Sequence, residues 1–94
     1  MRIKWLHIAL SDLEDAAQFI SEPNPDAARK LVDRIWQSAQ ILADHPDIGR
    51  PGRIPGTREL IISGTHYILP YRVVKDVVQI LRVLHCARKW PDRF

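Results

Sequence analysis

Hydrophobic and polar positions alternate most clearly between residues 58 and 85. Three runs rich in Ile, Val, Leu and Tyr (58–62, 66–74 and 77–85) are separated by Ser63-Gly64-Thr65 and by Lys75-Asp76. Short polar breaks between β-branched runs predict consecutive antiparallel hairpins. An even-numbered turn across Lys75-Asp76 sets Val74 opposite Val77, Tyr71 opposite Ile80 and His66 opposite His85. Because side chains alternate along a strand, one face should carry Tyr67, Leu69, Tyr71, Val73, Val78, Ile80, Arg82 and Leu84. The other should carry His66, Ile68, Pro70, Arg72, Gln79, Leu81, Val83 and His85. The first set is the more apolar and is expected to pack on helices, and the second suits a half-open face. Arg82 and Pro70 break this division. Proline cannot donate to a ladder and favours an edge or a bulge.

The first half of the chain changes period. Residues 2–8 alternate weakly around Ile3 and Trp5 and form a candidate first strand. Ser11 and Glu14 make a capping-box pattern, followed by Leu13, Ala16, Ala17 and Ile20 at helical spacing. Asp12, Glu14 and Asp15 would then occupy the first turn, where the helix dipole favours negative charge. Asn24 as N-cap and Pro25 as first helical residue open a second helix. Ala28, Leu31, Val32, Ile35, Trp36, Ala39 and Leu42 mark its buried face, and residues 44–46 stop it. The short connector predicts a helical hairpin. Residues 46–57 hold three prolines and three glycines, which exclude regular structure but limit floppiness. The expected order is β-α-α-β-β-β, an α+β fold of one helical hairpin on a small, mainly antiparallel sheet, as a single domain over residues 1–94.

Charge adds an asymmetry to this pattern. Residues 1–49 carry five Lys/Arg against eight Asp/Glu, and residues 50–94 carry nine against three, for a net charge of +3. A basic half on a small domain suits nucleic acid or an acidic protein segment; the alternative is a solvated basic surface. The single cysteine, Cys86, excludes an internal disulfide and suggests a reducing compartment. It could be a nucleophile or, as is commoner, a small buried side chain. No apolar run approaches the roughly 20 residues that span a bilayer, and the first residues lack a secretory pattern, so the expected location is cytoplasmic.

No phosphate-cradling glycine loop, nucleophile elbow or Cys/His set at metal spacing is present, and neither metal nor cofactor is expected. The constellation with chemical potential is Arg72, Arg82 and His85, with Arg88 and Tyr67 or Tyr71 nearby. Cleavage of RNA by its own 2′-hydroxyl needs an acid, a base and cations on the phosphate, for which His and Arg are natural. Strand parity puts Arg72 and His85 on one face and Arg82 on the other. The competing structural role has Arg82 paired with a helix carboxylate and His85 merely ending a strand. Residues 88–94 form a basic aromatic tail that could stack on bases, with Trp90 alternatively capping the core.

Six segments in order resemble a known family: AlaLeuSerAspLeuGlu (9–14), AsnProAspAlaAla (24–28), HisProAspIleGlyArg (45–50), ProGlyThrArgGluLeu (55–60), TyrIleLeuProTyrArgVal (67–73) and IleLeuArgValLeuHisCysAlaArgLysTrpPro (80–91). Together they resemble the ParE/RelE superfamily of type II toxin–antitoxin toxins, more closely its ParE branch. The resemblance implies the helical-hairpin-on-sheet fold and a hetero-oligomer with a cognate antitoxin. It implies one of two activities. ParE-like members bind DNA gyrase; RelE-like members cleave mRNA on the ribosome. Tyr67 stands where many ribosome-dependent members carry an arginine, and the loop offers Arg50 and Arg53 in place of their lysines. These departures favour gyrase, with Arg50, Arg53, Arg88, Lys89 and Trp90 as target-binding candidates. Arg72, Arg82 and His85 remain the catalytic candidates under the alternative, the ribosome and mRNA.

Overall fold

The computed structural model describes residues 1–21, 23–87 and 89–94. Its elements run β1 (Arg2–Trp5), α1 (His7–Ser21), α2 (Pro25–Ile41), β2 (Arg50–Pro51), β3 (Arg58–Ile61), β4 (Tyr67–Val74), β5 (Val77–Ile80) and β6 (Leu84–His85). Two helices precede a six-stranded mixed sheet in the order β1-β5-β4-β3-β2, with β6 also on β4. The α+β class therefore stands. The short pieces β2 and β6 add to the six expected elements, and β1 lies parallel to β5, with Trp5 beside Ile80.

Helix α2 starts where its sequence signals it. The Asn24 side chain accepts from the Ala27 amide at 3.1 Å, and Pro25 takes the first helical position. Ala28, Leu31, Ile35 and Ala39 are buried along it. Helix α1 starts earlier than the Ser11 pattern suggests. The Leu6 amide closes the β1–β5 ladder on Ile80 O, and Leu10 N–H already donates to Leu6 O. Tertiary pairing thus sets the helix start at His7, so Ser11 lies in the second turn and no acidic residue occupies the first. Asp12 is thereby freed from a capping environment and aimed at the sheet.

Ala9, Leu13 and Ala16 of α1 and Leu31, Ile35 and Ala39 of α2 meet Tyr67, Leu69, Tyr71, Val78 and Ile80 in the main core. Trp5 stacks on Trp36 with ring centroids 5.0 Å apart, which ties the sheet edge to α2. The Tyr71 hydroxyl accepts from Gly49 N–H at 2.9 Å and donates to Pro46 O at 2.8 Å. It pins the Pro/Gly-rich segment against the sheet. Burial pushes the Tyr71 phenol above its usual pKa, against the opposing pull of the Gly49 hydrogen bond and the Arg58 charge.

The β4–β5 hairpin pairs Val74 with Val77 and Tyr71 with Ile80, as the even-numbered turn requires. Lys75 and Asp76 both take positive φ, 49° and 63°, as two-residue hairpin turns of the primed type demand. Beyond Ile80 the expected register fails. Leu81 N–H still bonds Pro70 O at 2.9 Å, but the next pairs are Ile68 with Leu84 and Tyr67 with His85. Arg82 and Val83 together oppose one residue, Leu69, which is a β-bulge. Pro70 has no N–H with which to continue the ladder, and the Val83 amide turns instead to Asp12 Oδ2 at 3.0 Å.

The extra residue inverts every later side chain. Val83 enters the main core rather than the far face. Leu84 crosses to the far face, where it clusters with Ile68 and Trp90. His85 sits beside Tyr67 on the helix side, edge-on at 5.3 Å, and still stacks on His66 at 5.5 Å. The far face is also less open than expected, since Ile68, Pro70 and Leu81 are all buried.

Candidate functional site

Arg72, Arg82 and His85 do not form one cluster. Arg72 lies on the far face, exposed, with its Nε donating to Gln79 Oε1 at 2.7 Å. His85 lies on the helix face, so the expected sharing of a face by these two fails because of the bulge. Arg82 reaches between them and is held by α1. Its Nε donates to Asp12 Oδ2 at 2.7 Å and its Nη2 to Oδ1 at 3.1 Å. Both side chains of this pair are less than a fifth exposed. The hydrogen bonds that Arg82 donates to Asp12 raise the Arg82 pKa despite its burial, so its charge is permanent.

Arg82 and His85 line a cavity of about 210 Å³ together with Tyr67, Lys89, Asp12 and Asp15. The His85 Nδ1 accepts from Ala87 N–H at 3.1 Å. Cys86, in the turn after β6, is exposed rather than buried. Among the described residues, no group of three or more His, Cys, Asp or Glu could hold a metal ion.

Three target-binding candidates come together on the far side of the sheet. Arg50 Nη2 pairs with Glu59 Oε1 at 3.0 Å, and the Arg53 amide donates to Glu59 Oε2 at 2.9 Å. The Arg53 guanidinium lies 3.8 Å over the Trp90 ring, a cation–π contact. Trp90 packs on Ile68 and Leu84 and donates from Nε1 to His85 O at 3.2 Å. It is 9% exposed, so it caps a core rather than presenting a free stacking surface. Lys89 is exposed beside the Arg82 cavity. Arg88 lies outside the described residues.

Asp12 and Glu59 are the residues that pattern reasoning missed. Each is a carboxylate that takes two or more donors, Asp12 from Arg82 and Val83 and Glu59 from Arg50 and Arg53. A cation such as Arg82 in an apolar register requires such a partner, and this requirement was the available signal for Asp12. Glu59, 3% exposed within a strand, had no comparable local mark.

The arrangement of two helices over a mixed sheet is that of small toxins of the ParDE type. The family model described as "ParE toxin of type II toxin-antitoxin system, parDE" matches residues 3–90. The chain belongs to this family. It is 44% identical over 91 residues to the putative toxin Y4kP of Sinorhizobium fredii, covering 97% of this chain and 94% of that one. It is 39% identical over 83 residues to toxin RelE3 of Caulobacter vibrioides, covering 86% and 89%. The solved structure of the chromosomal ParDE TA system from P. aeruginosa aligns with a TM-score of 0.83 at 30% identity, over 90% of this chain and 95% of that chain. No helix among the described residues is long and apolar enough to cross a membrane.

Proposed function

We propose that this ParE-family toxin is a single cytoplasmic domain over residues 1–94. In this reading a cognate antitoxin neutralises it, and it arrests growth by binding DNA gyrase rather than by hydrolysis. The observation that carries the non-hydrolytic reading is the Asp12–Arg82 clamp. Two of the Arg82 donor groups are committed to a carboxylate of the same chain, and Arg72 stands on the opposite face. A catalytic phosphate clamp needs free guanidinium donors converging beside the acid–base group; Arg72 and Arg82 line one cavity with Arg93, but His85 is not among its described lining residues. The cations Arg50 and Arg53, tied through Glu59 and Trp90 on the far side, supply a fixed basic surface for a protein target.

A second reading, ribosome-dependent cleavage of mRNA, draws on the cavity where His85, Arg82, Lys89 and Tyr67 meet. There His85 would serve as the acid or base and Lys89 as the free cation. The purified chain is to be tested side by side against gyrase and in a translation-dependent cleavage assay. The proposal expects blocked supercoiling and intact ribosome-bound mRNA. Normal supercoiling at saturating toxin, with cleaved message, would replace it by the second reading.

A further inference from the structure

Arg72, Arg82 and Arg93 line one cavity of about 190 Å³. Arg72 comes from β4 and Arg82 from the bulge after β5. Arg93 follows Trp90, whose packing on Ile68 and Leu84 returns the chain to the sheet. Leu6 and Ile8, at the start of α1, line the same cavity. No acidic residue occupies the first turn of that helix, so the positive end of its dipole adds to the field of the arginines.

The three guanidinium groups are differently committed. Arg82 gives Nε and Nη2 to Asp12. Arg72 gives Nε to Gln79, a neutral acceptor, and is otherwise exposed. Arg93 is exposed and has no hydrogen-bond or ion-pair partner among the described residues. No Asp or Glu is among the described lining residues, whereas Asp12 and Asp15 both line the cavity that holds His85. With Asp12 balancing Arg82, two cations remain uncompensated. The space between them is smaller than the roughly 300 Å³ at which small-molecule pockets begin, so it suits an oxyanion group rather than a whole cofactor.

A single carboxylate would satisfy one of these cations and leave the other. Successive phosphates of a duplex, one charge per roughly 1.7 Å of its axis, offer each guanidinium fork its own partner. Single-stranded RNA is held chiefly by stacking its bases on aromatic rings. Trp90 is buried, and Phe94 is the one aromatic side chain among the described residues lining this cavity. A duplex needs no such platform, because cations alone hold its backbone.

We propose that the cavity lined by Arg72, Arg82 and Arg93 binds backbone phosphates of duplex DNA, so that the toxin grips the DNA held by gyrase as well as the enzyme. This rests on the reading that gyrase is the target. The test titrates the full chain against a short fluorescent DNA duplex, and in parallel against single-stranded RNA, over a series of salt concentrations. Arg72→Gln and Arg93→Gln are compared with Lys30→Gln, an equal charge loss on α2. Arg82 is left unchanged, because its removal would also strand Asp12. Each cavity variant should weaken duplex binding about tenfold at about 50 mM salt and lower the salt slope by about 1. Lys30→Gln should stay within about twofold of wild type. Both arginines are exposed, so an unchanged thermal midpoint is expected in each variant. Supercoiling by gyrase is measured with the same proteins, and the two cavity variants should need more toxin for equal inhibition.

Equal weakening by all three variants would mean a general charge effect and overturn the proposal. Unchanged affinity and slope in both cavity variants, or no duplex binding by wild type, would overturn it while leaving inhibition of gyrase intact. Tighter binding of RNA than of duplex, lost in the cavity variants, would assign the site to RNA and likewise overturn it. Wild type that binds duplex through these arginines but leaves supercoiling normal would remove the gyrase reading and support the DNA site alone.

Discussion

The two ends of the β4–β5 ribbon are held by different forces. At the turn end, Val74 faces Val77 and Val73 faces Val78 across a regular ladder, and a two-residue turn closes it. At the other end the ladder stops at Pro70. The chain is carried on by an ion pair from α1, and by Trp90 folding back on Ile68 and Leu84. Local sequence decides the first end. Contacts from residues some 70 positions away, Asp12 to Arg82 and Val83, decide the second. The lesson is that a charged clamp can take over strand register where backbone donors run out, and that every later side chain then changes face.

The largest effect should come from breaking the clamp. Asp12→Ala leaves a mostly buried guanidinium and the Val83 amide without acceptors. It should cost about 3–5 kcal/mol, read as a loss of denaturation midpoint. Asp12→Leu combined with Arg82→Met should cost much less, because an apolar pair leaves no orphan charge. A double variant as unstable as the single one would mean that the bulge itself, not the unpaired charge, carries the loss.

Trp90→Ala attacks the same end from the tail and should cost about 3 kcal/mol, the low end for removing a buried tryptophan. Hydrogen exchange should then rise at the Tyr67 and His85 pair and stay unchanged at the Val74 and Val77 pair. Equal loss of protection at both ends would dissolve the distinction between them.

Tyr71, opposite Ile80, is among the last regular pairs before the bulge. Tyr71→Phe removes two hydrogen bonds and strands the buried Gly49 amide, for about 1–3 kcal/mol. It should also flatten the alkaline limb of stability. A phenol whose folded pKa is raised stays protonated in the native state after the unfolded chain has ionised. Its contribution is therefore full below about pH 10 and lost as pH rises beyond it. Denaturation followed from pH 8 to pH 11 should show that slope in wild type and a shallower one in the variant. Gly49→Ala should match the variant in sign, since a Cβ there would sit 2.6 Å from the Tyr71 ring.

The smallest effect is a gain at the turn end. Lys75 and Asp76 hold positive φ without glycine. Lys75→Asn with Asp76→Gly supplies the residues such turns favour and should stabilise by about 0.5–1 kcal/mol. The gain should appear in thermal melts without any change in register.

Much of this fold was legible because its signals are local. Asn24 and Pro25 start α2 by their own side-chain chemistry, and the even turn at Lys75-Asp76 fixes Tyr71 against Ile80. The capping pattern at Ser11 misled because the helix start is set by Leu6, whose amide closes the β1–β5 ladder. The candidate site was harder to read. Proline 70 announced a bulge as one option, and Arg82 in an apolar register announced a carboxylate partner. Which carboxylate, and that its clamp would move His85 to the face of Tyr67, depended on how α1 packs. Period and propensity do not encode that packing.

The account's central claim, that the toxin acts by occupying its target rather than by acid–base chemistry at the bulged end, is met most directly by His85→Ala. Induced alone in bacteria, this variant should arrest growth as wild type does, and the purified protein should still fold and bind the antitoxin. Abolished arrest in a variant that still folds and still binds the antitoxin would contradict the account and place the chemistry at His85.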